Sequence, residues 1–259
     1  MGEAMSKLRS MIEIKNLSVN FGKVKAIDNV SLDIADGEVL GLVGESGSGK
    51  TTLGRAILGL IRPGSGQVKF RGADVHQLRG DELKKMRSLA QIVFQNPYSS
   101  LNPKMKISTM IEEPLVIHQK WDKNKRIGRV NELLNLVGLS ADFMNRFPHE
   151  LSGGERQKVG IARALAVNPK FIVCDEPVSS LDVSVQAQIL NLLKDLKKKL
   201  KLTYLFITHE LAVVSYMADR VAVMQKGRIV EIGDKKKIFR NPTNEYTIKL
   251  IDSTPKIKY

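Results

Sequence analysis

Residues 44–51 read GESGSGKT, a run that fits G-x-x-x-x-G-K-[ST] and joins the strand-like segment VLGLV to the helix-like segment TTLGRAILGLI. Gly44, Gly47 and Gly49 let the backbone curl, and with Glu45, Ser46 and Ser48 they turn successive N–H groups toward a β-phosphate at a helix N-terminus. Lys50 would reach the β- and γ-phosphates, the Thr51 hydroxyl would ligate Mg²⁺, and Thr52 would add a contact one residue on. An ordinary glycine turn capping a helix is the bland alternative, and the order of strand, loop and helix argues against it.

Asp175 and Glu176 follow the apolar run FIVC and end a strand-like segment. At the C-terminal end of a parallel strand beside a phosphate loop, Asp175 can hold Mg²⁺ and Glu176 can deprotonate an attacking water. His209 ends a second apolar run, YLFITH, where it would contact the γ-phosphate, and Gln95 closes AQIVFQ, where its amide would touch Mg²⁺ or water. Each of these alone is a polar strand terminus; together with the loop they form a constellation. A second anion-binding turn, LSGGE at 151–155, opens the helix-like RQKVGIARALA. It lacks a lysine and metal ligands of its own, and the residues alone leave open whose phosphate it would hold.

These residues need a frame. The segments MIEIKNLSVNF and KAIDNVSLDIADGEVLGLVG alternate apolar and polar positions, as β structure does. Helical spacing predicts a helix through TTLGRAILGLI, up to the break RPGSG, followed by a strand at QVKFRG. Helices dominate about 81–166, interrupted by FQNPYSSLNPK and NRFPHELSGG. Beyond them come the strand KFIVCDEP, the helix VSVQAQILNLLKDLKKKL, the strand LTYLFITH, a helix from about Glu210, and the strands RVAVMQKG and RIVEIG. Strand–helix alternation predicts an α/β fold with a doubly wound, mostly parallel sheet, an N-terminal antiparallel β subdomain and an inserted α-helical subdomain. The domain is expected over 11–234 with the helical insertion at about 96–157, and 235–259 form a basic C-terminal extension.

Composition narrows the classes. Lys+Arg 41 against Asp+Glu 27 gives a net charge of +14, which admits nucleic acid, anionic lipid or polyanionic ligands. Much of the excess falls in runs such as Lys197, Lys198, Lys199 and Lys201, interleaved with Leu193, Leu196 and Leu200 as on the wet face of an amphipathic helix. The one cysteine, Cys174, excludes an internal disulfide and cysteine-based metal sites, and its apolar setting predicts a buried thiol. No apolar run approaches the ~20 residues of a membrane span.

The order GESGSGKT, Gln95, LSGGE, FIVCDE, SSLD and His209 resembles the nucleotide-binding subunit of ABC transporters, over about 11–232. The resemblance implies ATP and Mg²⁺ as cofactors and a head-to-tail dimer. Ser152, Gly153 and Gly154 would then hold the γ-phosphate of the ATP on the partner's loop. It further implies that Phe21 stacks on adenine, that Asp182 in SSLD communicates between the two sites, and that Glu176, His209, Gln95 and Lys50 serve hydrolysis. As alternatives, Phe21 is a half-buried strand aromatic and Asp182 a helix cap. Glu155 stands where many members of the family have glutamine, and its charge is mildly unfavourable beside a nucleotide unless it points outward.

The segments IVFQNPYSSLNPKMKI and NPTNEYTIKLIDSTP look like the oligopeptide and dipeptide importer branch, which also serves nickel and some sugars. NEYT stands here where HPYT is commoner. That branch implies as partners a second ATPase subunit (a homodimer or a sister heterodimer), two integral membrane permease subunits, and an extracellular or periplasmic substrate-binding protein. It implies no nucleic acid, and a peripheral place on the cytoplasmic face of the membrane. The loop at 96–114 would receive a permease coupling helix. A soluble ABC ATPase acting on nucleic acid or ribosomes, and a non-hydrolysing regulatory subunit, are the competing classes.

Overall fold

The computed structural model describes residues 10–95 and 100–253. β1 (Ser10–Phe21) and β2 (Val24–Ala35) form a long antiparallel pair, and β4 (Ser65–Phe70) and β5 (Ala73–Asp74) extend it into a four-stranded sheet of order β2-β1-β4-β5. The second sheet holds six strands: β3 (Val39–Val43), β6 (Ala90–Val93), β7 (Phe171–Asp175), β8 (Thr203–Thr208), β9 (Arg220–Gln225) and β10 (Arg228–Asp234). Its order is β10-β9-β3-β8-β7-β6, parallel throughout except for the antiparallel edge strand β10. The α/β fold with its mostly parallel core and antiparallel N-terminal sheet is the one expected from the sequence.

Residues alternate across the parallel sheet, and both faces are buried. Leu40, Leu42, Phe171, Val173, Leu205, Ile207 and Met224 turn toward the antiparallel sheet and α1 (Lys50–Ile57). Their neighbours Val39, Ile172, Cys174, Tyr204, Phe206 and Val223 turn to the opposite face, against helices. These include α5 (Gly153–Leu165), α6 (Val183–Leu200) and α7 (Leu211–Met217). The buried Cys174 thiol, its pKa pushed up by burial, is part of this packing.

Between β6 and β7, α3 (Ile107–His118) and α4 (Lys123–Leu136) pack with α5 around Ile111, Leu115, Leu133 and Leu134. Preceding β6, α2 covers Gly80–Leu89. After β10 come α8 (Lys235–Arg240), which buries Ile238 and Phe239, and α9 (Glu245–Asp252).

The helix after the phosphate loop stops earlier than its apolar spacing suggests. α1 ends at Ile57, where Gly59 turns left-handed (φ 68°) and the Leu60 N–H returns to the Arg55 carbonyl at 2.9 Å. This glycine-centred stop satisfies the last carbonyls of the helix, and Leu58 and Ile61 lie beyond it. The strand at Gln95 also falls short: β6 closes at Val93, two residues before Gln95. Residues 96–99 of the expected docking loop, and 254–259 of the basic extension, lie outside the described residues.

Candidate functional site

The loop from β3 to α1 wraps one side of a cavity of 880 Å³, whose opposite side carries Gln95, Glu176 and His209. The curl depends on its glycines. A Cβ on Gly44 would meet the Met224 carbonyl oxygen at 2.0 Å, and one on Gly49 would meet that of Ala26 at 2.3 Å. The loop is therefore pressed against β2 and β9, with its open side facing the cavity. Ser46, Gly47, Gly49, Lys50, Thr51 and Thr52 all line it.

Lys50 is buried, and its ammonium donates to the carbonyls of Gly44 (2.7 Å) and Glu45 (2.8 Å) and to Ser48 Oγ (3.4 Å). Among the described residues no carboxylate forms an ion pair with it. Burial holds its pKa below the usual lysine value, partly offset by the charges of Glu176, Asp175 and Glu45. A buried cation held only by neutral oxygens is an anion-binding group, and a polyphosphate is the anion that the surrounding N–H curl fits.

Asp175 ends β7, two strands away from β3 in the sheet, and its Oδ1 accepts a hydrogen bond from Thr51 Oγ1 at 2.9 Å. Burial raises its pKa, against the opposing pull of Thr51, Arg55 and Lys50. A hydroxyl and a carboxylate side by side are hard oxygen donors. Mg²⁺ takes one or two such groups with phosphates and water rather than an all-protein cage. The Thr51–Asp175 oxygen pair therefore fits Mg²⁺ brought with a nucleotide.

Glu176 has a left-handed backbone (φ 46°), and its N–H donates to the Ile207 carbonyl at 2.9 Å. The turn takes its carboxylate to the cavity between two partners. Gln95 Nε2 donates to one oxygen at 2.8 Å, and His209 Nδ1 lies 3.3 Å from the other. Three residues that sequence order alone brought together thus form one connected group, facing the space beyond Lys50 and Thr51. The arrangement can bind a triphosphate, hold its metal, and take a proton from water.

Phe21 is 52% exposed and lines the cavity mouth with Val24, an open aromatic face suited to a purine. The structure keeps Ser152, Gly153 and Gly154 off the cavity's lining. Ser152 caps α5, where its Oγ accepts from the Glu155 N–H (3.3 Å) and donates to the Glu155 carboxylate (2.7 Å), which also takes the Ser152 N–H (2.8 Å). Glu155 therefore folds back to close a capping box on its own helix, and these bonds hold its pKa low. Asp182 occupies the N-cap position of α6 but makes no capping hydrogen bond, and it too lies outside the lining, whereas Ser179 and Ser180 belong to it.

Several contributors were not foreseen from the sequence, Val24, Lys25, Ala26 and Ser179 of the lining among them, and two segments matter most. Lys226 and Gly227, at the turn from β9 to β10, line the cavity, and the Gly227 N–H props the loop by donating to the Ser48 carbonyl at 3.0 Å. The second is the Tyr246 hydroxyl, which accepts from the Glu45 N–H at 3.1 Å. The KG turn signal in QKGR marks a hairpin, but nothing in either segment points to a loop some 180 to 200 residues upstream.

A glycine loop between a parallel strand and a helix, a buried lysine that pairs with no carboxylate among the described residues, and an acidic pair on a nearby strand end define a phosphate-loop nucleotide-binding ATPase. Residues 27–179 match the ABC transporter family model, and the chain belongs to that family. It is 51% identical over 254 residues to the oligopeptide transport ATP-binding protein OppF of Streptococcus mutans, covering 95% of this chain and 82% of that one. It is likewise 51% identical to the dipeptide transport ATP-binding protein DppF of Lactococcus lactis, covering 97% and 83%. Among solved structures, a dimeric ATP-binding cassette in a post-hydrolysis state with ADP and Pi superposes with TM-score 0.78 at 32% identity, covering 87% of this chain and 99% of that one. The cbiO1 subunit of the Clostridium perfringens cbiONQ ABC transporter complex gives TM-score 0.81 at 28% identity, covering 90% and 92%. The chain is thus an ATP-binding ABC ATPase, with ATP and Mg²⁺ as its cofactors.

Proposed function

We propose that this chain energises the import of oligopeptides or dipeptides, as the ATP-hydrolysing subunit beneath a membrane permease. The observation that carries the reading is the connected set Gln95–Glu176–His209 facing a cavity whose other wall is an intact phosphate loop. A subunit that only bound nucleotide would not need a carboxylate aimed there. Similarity to the peptide-transport proteins above supports the solute class.

In this reading the loop N–H groups and Lys50 hold the β- and γ-phosphates. Thr51 and Asp175 hold Mg²⁺, which supplies charge neutralisation on the transferring phosphoryl group. Glu176 takes the proton of a water attacking the γ-phosphorus, Gln95 and His209 keep that water in line, and ADP departs as the leaving group. Phe21 stacks on the adenine. Ser152, Gly153 and Gly154, which stand off the phosphate-loop cavity, serve the γ-phosphate of a partner subunit's ATP, and Asp182 lies at the same junction. ATP then closes a head-to-tail dimer and hydrolysis reopens it.

The permease would sit where Phe94, Glu113, Ile117, His118 and Arg163 line a second hollow, of 580 Å³. Its lining includes Phe94, the residue before Gln95, and the exposed Ile117, which suits an apolar coupling helix. No helix among the described residues is long and apolar enough to cross a membrane, so the place at the cytoplasmic face would be taken through that contact. A substrate-binding protein outside the membrane would deliver the solute. Affinity isolation of the tagged chain from gently solubilised membranes should recover multi-span proteins and an ABC ATPase partner. Recovery in the soluble fraction with nucleic acid or ribosomes would overturn the transport role while leaving the ATPase.

A further inference from the structure

The C-terminal helix α9 reaches the phosphate loop from behind. The Tyr246 hydroxyl accepts a hydrogen bond from the Glu45 N–H at 3.1 Å, and Tyr246 is absent from the cavity lining. That N–H belongs to the Gly44–Glu45 peptide, whose carbonyl accepts from Lys50 Nζ at 2.7 Å. One peptide unit is therefore pinned at both poles, by the lysine on one side and by α9 on the other.

The α9 end of this contact is itself fastened. Glu231 on β10 accepts from the Thr243 N–H (2.9 Å), the Thr243 hydroxyl (2.9 Å) and the Asn244 N–H (3.2 Å). Burial raises its pKa, but the nearby Thr247 hydroxyl together with these bonds holds it below the usual value. Asn244 then caps α9 by accepting from the Tyr246 N–H at 2.9 Å. Tyr246 and Leu250 pack against the main core. The chain of contacts runs from β10 through the α9 cap to Tyr246, and from there to the loop.

A Lys50 ammonium that turned to a phosphate would loosen its hold on the Gly44 carbonyl, leaving the tyrosine as the other hold on that peptide. We propose that Tyr246 is a positioning residue for the nucleotide: α9 keeps the Gly44–Glu45 peptide oriented so that the loop retains its anion-binding curl, and this raises ATP affinity from outside the site. By linkage, whatever displaces α9 weakens nucleotide binding, and nucleotide in turn secures α9.

The proposal rests on the assignment of the loop to ATP, and the test separates the two. Equilibrium titration of the purified full chain with a fluorescent ATP analogue and Mg²⁺ reads affinity without turnover. Tyr246→Phe, which keeps the ring and its packing, should raise Kd about 3- to 10-fold, at most the size of one neutral hydrogen bond, with the melting temperature of the nucleotide-free chain lowered by no more than about 4 °C. Glu231→Ala, which frees the start of α9, should raise Kd similarly, and the double variant should add nothing further because both act through one contact. An unchanged Kd in Tyr246→Phe, or fully multiplicative effects in the double variant, would overturn the proposal. Lys50→Ala decides which reading failed. If it binds the analogue as wild type does, the loop assignment falls as well; if it does not bind, only the role of Tyr246 falls.

Discussion

Glu176 carries a cost and a function at one position. Its left-handed backbone (φ 46°) is disfavoured for a residue with a side chain by about 1 kcal/mol, and the hydrogen bonds from its neighbours fix it there. Glutamine at this site keeps the acceptor toward Gln95 but takes no proton from water. Glu176→Gln should therefore bind ATP normally while phosphate release falls about 10²- to 10⁴-fold. Filter binding and a phosphate assay on the same preparation check this, and near-normal turnover would remove Glu176 from the role. That Lys50, Thr51, Asp175 and Glu176 come together was legible because each residue type sits at a strand end or in a loop spacing that marks it. Tyr246 was not legible, since a tyrosine hydroxyl meeting a backbone N–H leaves no pattern in either segment. Glu155 was half legible: its charge was noticed, but the capping box that disposes of it needs the helix start to be placed to the residue.

At the scale of elements, the junction of α5 and α6 explains the two glycines of the second turn differently. A Cβ on Gly154 would meet Val185 Cγ1 at 2.5 Å, whereas one on Gly153 would meet Leu181 Cδ2 at 3.2 Å. Gly154→Ala must push α5 off the first turn of α6, at a cost of about 1–3 kcal/mol. Gly153→Ala needs only a small shift of a flexible leucine, against which alanine's better helix propensity works. Urea unfolding should thus separate the two variants, and equal midpoints would mean that the junction yields freely. The length of α6 was read correctly because its leucines repeat at helical spacing between a polar start and a lysine-rich end. α1 was read too long, because apolar spacing continues past Gly59 while the backbone does not.

For the whole molecule, the decisive feature is separation: the Ser152–Gly154 turn stands off the cavity of its own chain. If it completes a partner's site, a mixture of Lys50→Ala chains with Ser152→Arg chains forms dimers with at most one sound site. The mixture should hydrolyse ATP at half the wild-type rate or less, and a mixture as active as wild type would exclude the head-to-tail arrangement. Sequence established the alternation of strands and helices, and hence a parallel sheet. It did not establish the order β3-β8-β7, which sets Thr51 within 2.9 Å of Asp175 across 124 residues of chain. Strand order is decided by which faces bury one another, and that information is spread over the entire core.

The two buried charges of the phosphate site have one more effect. Burial disfavours the charged forms of both groups. The cost of Asp175 sets in as pH rises above the ordinary carboxylate range, and that of Lys50 is relieved only as pH rises through its lowered value, so both weigh on the fold near neutrality. A bound triphosphate with its metal neutralises both at once and adds its binding free energy to stability. The nucleotide-free chain is consequently expected to unfold at a lower denaturant concentration than the loaded one. Limited proteolysis of the purified chain should accordingly slow when a non-hydrolysable ATP analogue and Mg²⁺ are added, the nucleotide acting as a brace on the same residues that it neutralises.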